Sequence, residues 1–135
     1  MKKILPFTLC LIALIYSCHK KKTPVNYGIK FDGTWVGMNL CDSSTQTITF
    51  HSPVNNANSV YYAGTVDTGI CADTVTFYGF ADGDSVTFPA ETYLDLCGNG
   101  YTVRQGATIK GVTLYLTRVT SGTKNDTCVF MATRL

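Results

Sequence analysis

The sequence predicts an all-β fold, namely an eight-stranded antiparallel up-and-down β-barrel. Short runs rich in threonine and aromatic residues alternate between apolar and polar positions, and almost no segment past residue 30 has a helical period. Gly, Asn, Asp and Ser residues separate these runs. Four cysteines also fall in connections that a meander of eight strands places at one end. A two-sheet β-sandwich is the alternative architecture that the same pattern allows.

Eight runs are predicted to be strands, at residues 34–40, 45–50, 59–67, 74–80, 85–90, 101–110, 112–119 and 127–134. Their period of two assigns one apolar face, which comprises Ile48, Phe50, Val60, Tyr62, Val66, Val75, Phe77, Val86, Phe88, Leu114 and Leu116. Threonines of the same runs occupy the opposite face, because threonine is β-branched yet able to face water. One apolar and one wettable face is typical of an antiparallel sheet around a single core.

The predicted turns agree with a meander. Asp82-Gly83 lies between two apolar runs and is a strong hairpin signal, and Lys110-Gly111 predicts a second tight reversal. Closing the eight strands into a barrel removes the sheet edges that would otherwise promote aggregation.

Four cysteines of the predicted barrel indicate two disulfides, since an even number in a small exported domain is typical of a disulfide framework. Cys41, Cys71, Cys97 and Cys128 each fall at a connection on the same rim. The predicted bonds are therefore either Cys41–Cys71 with Cys97–Cys128, or Cys71–Cys97 with Cys41–Cys128. The crossed pairing would have to span the mouth of the barrel, beyond the reach of a disulfide.

The first eighteen residues have the parts of an export signal. Lys2 and Lys3 form a positive start, residues 4–16 are an apolar run, and Ser17 is a small residue before Cys18. The apolar run is shorter than the ~20 residues that span a bilayer. The end of this segment resembles the lipobox of bacterial lipoproteins of the Bacteroidota type.

The lipobox resemblance implies that Cys18 is acylated, for instance with palmitate, and becomes the first residue of the mature chain. We therefore expect a signal peptide at 1–17, a lipidated cysteine and basic tether at 18–30, and the barrel domain at 31–135. The tether's lysines, Lys20-Lys21-Lys22, favour anionic lipid head groups. Because lysines rather than acidic residues follow Cys18, we expect a cell-envelope protein that is lipid-anchored to the outer membrane and faces the periplasm.

Charge and residue types exclude several function classes. From residue 23 onward six Lys and Arg stand against nine Asp and Glu, a net charge of −3, which argues against nucleic-acid binding. His51 lies alone at a strand end and no cysteine pair has C-x-x-C spacing, so no metal site is expected. Glu91 and Asp95 form a carboxylate pair without a catalytic motif. We expect no cofactor and no enzymatic activity.

The aromatic residues are numerous for so small a body and allow two interpretations. The inward set either packs a solid core or lines a pocket for an apolar ligand; its members are Trp35, Phe50, Tyr62, Phe77, Phe88, Leu114 and Leu116. The outward tyrosines Tyr61, Tyr78 and Tyr115 are candidates for a partner-binding face, since tyrosine suits wet interfaces.

The first strand carries a further resemblance. Its start reads Gly33-Thr34-Trp35, and the last strand ends at Arg134. This combination is similar to the pattern of lipocalins and the wider calycins. The resemblance implies a tryptophan that closes the barrel floor beneath a ligand cavity, with the arginine packed on it. We therefore expect a non-enzymatic, lipocalin-like lipoprotein that binds a small hydrophobic ligand.

Two other functions remain open at this point. One is a protein-binding module, such as a lysozyme or protease inhibitor, with the loops 42–44 and 91–99 as its reaching elements. The other is a structural envelope lipoprotein with no ligand.

Overall fold

A computed structural model describes residues 25–53, 58–66, 73–94, 97–122 and 125–135, and it confirms the all-β fold. A 3₁₀ turn at Gly28–Lys30 precedes the strands. The strands are β1 (Gly33–Asn39), β2 (Thr45–Phe50), β3 (Ser59–Val66), β4 (Asp73–Asp82), β5 (Ser85–Leu94), β6 (Gly100–Lys110), β7 (Thr113–Gly122) and β8 (Asp126–Arg134). Within these ranges, no helix is long and apolar enough to cross a membrane.

The eight strands form one nearly closed antiparallel sheet with the order β2-β1-β8-β7-β6-β5-β4-β3. Sequence neighbours pair along the whole sheet except at β2 and β3, and β1 also pairs with β8, so the meander nearly closes on itself. At the remaining seam, β2 and β3 meet through two backbone hydrogen bonds between His51 and Tyr61, of 2.9 and 3.0 Å. The single sheet confirms the up-and-down barrel, and the sandwich alternative is wrong.

The longest departure from the predicted strands is in β5. It continues to Leu94 rather than ending at residue 90, through a register shift between Phe88 and Glu91. Pro89 lies at this bulge, where a residue without a backbone N–H is tolerated. The prediction of a reaching loop over 91–99 is therefore wrong in its first half, because Glu91–Leu94 is strand.

A smaller difference concerns the segment before β1. Tyr27 packs against the core and Gly28 is buried, so the folded part extends into the segment that was predicted to be tether. Phe31 follows the 3₁₀ turn and is fully buried. Val112, which was predicted to begin a strand, lies in the turn between β6 and β7.

The end of the barrel at which β1 begins, here called the closed end, is sealed by the predicted tryptophan–arginine pair. The Arg134 guanidinium lies 5.1 Å from the centre of a Trp35 ring, and its Nη2 donates hydrogen bonds to the carbonyl oxygens of Lys30 (2.8 Å) and Asp32. The Trp35 indole N–H donates to the Phe31 carbonyl at 2.8 Å. These bonds fix the entering chain beneath the core.

The opposite end, here called the rim, is where the chain passes from β1 to β2 and from β7 to β8. A disulfide joins Cys41 to Cys128 across it, with the Cα atoms 5.6 Å apart. This bond belongs to the second of the two predicted pairings. Cys97 is also disulfide-bonded, whereas Cys71 lies outside the described residues. The bond links the β1–β2 turn to the last strand and braces the rim.

Candidate functional site

The predicted pocket residues all point into the barrel and are buried in one cluster: Trp35, Phe50, Tyr62, Phe77, Phe88, Leu114 and Leu116. The rings pack against one another rather than around a space. The centre of the Tyr62 ring lies 4.9 Å from that of Phe50, 5.2 Å from Phe77 and 5.4 Å from Phe88. Such separations are ordinary aromatic contacts. The middle of the barrel is therefore filled by its own side chains.

A polar layer lies above this aromatic cluster, toward the rim. The Tyr62 hydroxyl donates a hydrogen bond to Oε1 of Gln105, which is itself buried. The Arg118 guanidinium lies 5.8 Å from the centre of the Phe77 ring. Burial raises the pKa of Tyr62, and Arg118 opposes this shift by favouring the phenolate. Gly64 leaves room for this layer, since a Cβ there would lie 2.8 Å from the Tyr62 ring and 3.3 Å from Arg118.

Glu91 and Tyr93 extend the polar layer along β5. Because the bulge shifts the register, both side chains are partly buried instead of lying in a loop. The Tyr93 hydroxyl donates to a Glu91 carboxylate oxygen. Burial raises the pKa of Tyr93, and the Glu91 charge raises it further. Asp95, the other member of the predicted carboxylate pair, lies outside the described residues.

A small cavity of about 30 Å³ is lined by Asn39, Gln46, Ile48, Leu116, Arg118, Cys128 and Phe130. One water molecule has a share of about 30 Å³ in the liquid. The cavity is therefore the size of a single water rather than of an organic ligand.

The rim brings two cysteine sulfurs and a carboxylate close together, but this group is not suited to bind a metal. Cys41, Asp126 and Cys128 bring their ligand atoms within 4.8 Å of one another. The two sulfurs are bonded to each other, and a metal requires thiolate ligands. Beside them, the Ser44 hydroxyl and backbone N–H bond to Asp42 and lower its pKa, so the short 42–44 turn is held by its own residues.

The outer wall of β2, β3 and β4 carries an aromatic face, defined as His51, Tyr61, Tyr78 and Phe80. The His51 and Tyr61 rings are stacked with centres 5.1 Å apart, and the Tyr61 and Tyr78 rings lie 5.8 Å apart. Tyr78 is directly opposite Tyr61 in the strand register. Tyr78 and Phe80 are 62% and 61% exposed. A cleft of about 320 Å³ adjoins the face, lined by Thr47, Thr49, His51, Tyr61, Ala63 and Thr76.

Another cleft, with a volume of about 550 Å³, lies at the closed end. It is lined by Lys30, Trp35, Asp84, Ile109, Gly111, Val112, Thr133 and Arg134. An ion pair between Lys30 Nζ and an Asp84 carboxylate oxygen, 2.6 Å apart, crosses it. Tyr115, the third predicted outward tyrosine, lies apart from the aromatic face on β7, with the Lys110 ammonium 5.7 Å from its ring centre.

Sequence reasoning found some of these residues and missed others. It placed Tyr61 and Tyr78 on the outer wall, but it assigned no face to Phe80 and treated His51 as a lone surface or loop residue at a strand end. The period of two from Tyr78 places Phe80 on the same face, so the signal was present. The same period places Gln105 and Arg118 inward. Cys18 lies outside the described residues.

These features define a small, eight-stranded up-and-down barrel whose middle is filled by side chains and whose wall carries an exposed aromatic row. No family model matches the chain, and neither the curated proteins nor the solved structures contain a match to it.

Proposed function

We propose that the chain is a non-enzymatic, lipid-anchored barrel of the cell envelope that binds a protein partner through the aromatic face. The observation that carries the proposal is the contrast between a filled interior and exposed aromatic side chains on the wall. Tyr78 and Phe80 keep more than half of their surfaces in water although the barrel has a core that buries Phe50 and Tyr62 fully. Large exposed aromatic residues in a contiguous row are typical of interaction surfaces.

The residues around the aromatic face support a protein interface. The outward positions of 45–51, 59–63 and 74–80 hold threonine, serine, alanine and the four aromatic residues, without Asp, Glu, Lys or Arg. Interface cores are enriched in aromatic residues and depleted in charged ones. The rings of Tyr61 and Tyr78 are also held by cross-strand contact, so little side-chain entropy remains to be lost on binding.

The anchor and location in this proposal rest on the sequence. The Lys2-Lys3 start, the apolar run and the Ser17-Cys18 end support export and acylation of Cys18. A periplasmic orientation follows from the lysines after Cys18. An inhibitor of a lytic enzyme or a protease is one partner class that such a rigid, disulfide-braced barrel suits.

Photo-cross-linking in living cells tests the partner. A photoreactive phenylalanine analogue replaces Tyr78 in one strain and Tyr115, the tyrosine on the opposite wall, in the control strain. We expect one reproducible protein adduct from position 78 that is absent from position 115, and its loss when Phe80→Ser is added. Equal labelling at both positions, or no protein adduct at position 78, would contradict the proposed interface.

Binding of a small hydrophobic ligand is the second candidate function. It is favoured by the polar layer above the aromatic core, which consists of Tyr62, Gln105 and Arg118. This arrangement suits a molecule with a polar head at the mouth, in line with the lipocalin-like Trp35–Arg134 contact. A fluorescent fatty acid tests it. Saturable binding that is weakened at least about tenfold by Arg118→Gln supports a mouth site, whereas absence of saturable binding contradicts it.

A further inference from the structure

The seam between β2 and β3 leaves part of two strand edges unpaired. Within the described part of both strands, His51 and Tyr61 are the one residue pair that joins them by backbone hydrogen bonds. The same antiparallel register would continue with Thr49 opposite Ala63, but these two residues form no such bond. The seam is therefore joined near the closed end and open toward the rim.

Backbone groups of β2 point into the open part of the seam. Successive residues of a strand direct their N–H and C=O groups alternately to the two sides. The Ser44 carbonyl accepts a hydrogen bond of 2.9 Å from the Asn39 N–H, so the even-numbered positions face β1. The odd-numbered positions face β3, as the bonds of His51 to that strand require. Thr47 and Thr49 therefore present their backbone donors and acceptors to the gap.

The facing edge of β3 follows the same rule. The Asn58 carbonyl accepts a hydrogen bond of 2.7 Å from the Ala81 N–H, so the even-numbered positions face β4 and Ala63 faces the gap. The cleft of about 320 Å³ lies here, with Thr47 and Thr49 on one side and Ala63 on the other. All three residues are exposed. An extended chain in this cleft would meet main-chain donors and acceptors at the spacing of a strand.

The open seam lacks features that usually prevent a strand edge from pairing with another chain. Proteins protect such edges with charged side chains, proline or a β-bulge. Residues 45–51 and 59–66 contain no Asp, Glu, Lys, Arg or Pro, and neither β2 nor β3 has a register shift against its neighbour. The cleft is also continuous with the aromatic face, since His51 and Tyr61 belong to both. A charged occupant would lose water here without gaining an ionic partner, so the surroundings favour an uncharged one.

We propose that an extended, uncharged segment of the protein partner lies in the open seam and pairs its backbone with Thr47 and Thr49. This inference rests on the proposed function and deepens it, because it specifies the kind of segment that the partner offers. Main-chain pairing at the seam supplies affinity, and the aromatic face beside it selects the side chains. The partner's side chain nearest the stacked rings of His51 and Tyr61 is then apolar or aromatic.

A proline at position 47 tests the main-chain pairing, with alanine at the same position as the matched control. Both variants lose the exposed threonine side chain, but only Thr47→Pro loses the N–H that faces the seam. The ladder to β1 does not use this N–H, and proline is tolerated at a strand edge of this kind. In cells that carry the photoreactive analogue at Tyr78, we expect Thr47→Pro to reduce the protein adduct at least about fivefold relative to Thr47→Ala, in keeping with the loss of a main-chain hydrogen bond.

Each other outcome has a distinct meaning. Equal adduct in the two variants overturns the pairing at the seam and leaves the aromatic face as an interface. An adduct with the mass of two copies of this chain overturns the inferred occupant. Absence of an adduct from position 78 in the chain without a substitution at 47 contradicts the proposed function and the seam pairing with it.

A second measurement decides the question if Thr47→Pro does not fold, as judged by the fluorescence of Trp35. The photoreactive analogue is then placed at Thr49, inside the cleft, with position 78 as the reference. An adduct from position 49 with the same protein, attached within one short segment of it, supports the pairing. Labelling from position 78 without labelling from position 49 overturns it.

Discussion

Removal of the rim disulfide should destabilise the barrel mainly through its unfolded state. In the variant Cys41→Ser/Cys128→Ser, the cross-link between residues 87 positions apart is lost. The chain-entropy relation for a loop of that length gives about 15 cal/mol/K, or about 4.6 kcal/mol at 25 °C. The folded rim keeps its backbone ladder, including the hydrogen bond of 2.8 Å from the Leu40 N–H to the Val129 carbonyl. We therefore expect a loss of about 3–5 kcal/mol in the free energy of unfolding, with the fold retained.

Urea unfolding, followed by the fluorescence of Trp35, measures this loss. The double variant is preferable to a reducing agent, because reduction would also open the disulfide of Cys97. The denaturant slope should rise together with the lower midpoint, since the unlinked chain exposes more surface when unfolded. A loss below about 1 kcal/mol, or an unchanged slope, would refute the reasoning that the bond acts by restricting the unfolded chain.

Three further predictions concern the core, the closed end and pH. Phe50→Ala should lower the free energy of unfolding in urea by about 3–5 kcal/mol, because the ring is fully buried. The exposed control Phe80→Ala should lower it by less than about 0.5 kcal/mol. Equal losses in the two variants would contradict the filled core. Arg134→Ala should cost about 2–3 kcal/mol in urea unfolding, since it removes the contact with the Trp35 ring and two charged hydrogen bonds. The same variant should shift Trp35 emission to the red. A variant with wild-type stability and emission would show that the arginine does not seal the closed end. Above pH 10 stability should fall, because the pKa of the partly buried Tyr93 is raised and the native state keeps a proton that the unfolded chain releases near the ordinary value of 10.0. A flat unfolding free energy between about pH 9 and about pH 11 would show that the hydroxyl ionises normally.

The fold could be predicted from the sequence because local and global signals agree. The alternation of Ile48 and Phe50 with threonine specifies which side of β2 is buried, and Asp82-Gly83 specifies a hairpin that the structure contains between β4 and β5. Gly83 has a positive φ of 61°, as such a turn requires. Except at the seam between β2 and β3, each strand pairs with its sequence neighbour, so no long-range choice of partner was needed except the closure of β1 on β8.

The site could be predicted only in part, because its features depend on long-range packing. Whether Tyr62, Phe77 and Phe88 enclose a cavity or fill it depends on ring orientations that periodicity does not specify. The extension of β5 past Pro89 was also not predictable, since a proline favours a strand end and only the pairing of Glu91 with Val103 restores the ladder.

Native mass spectrometry of the protein purified from the cells that produce it tests the central claim most directly, namely that the barrel is filled by its own side chains and binds on its surface. We predict the mass of the polypeptide, together with the proposed acyl modification of Cys18, and no small-molecule adduct that survives at a one-to-one ratio. A stoichiometric, noncovalently bound lipid or other apolar molecule would contradict the filled interior.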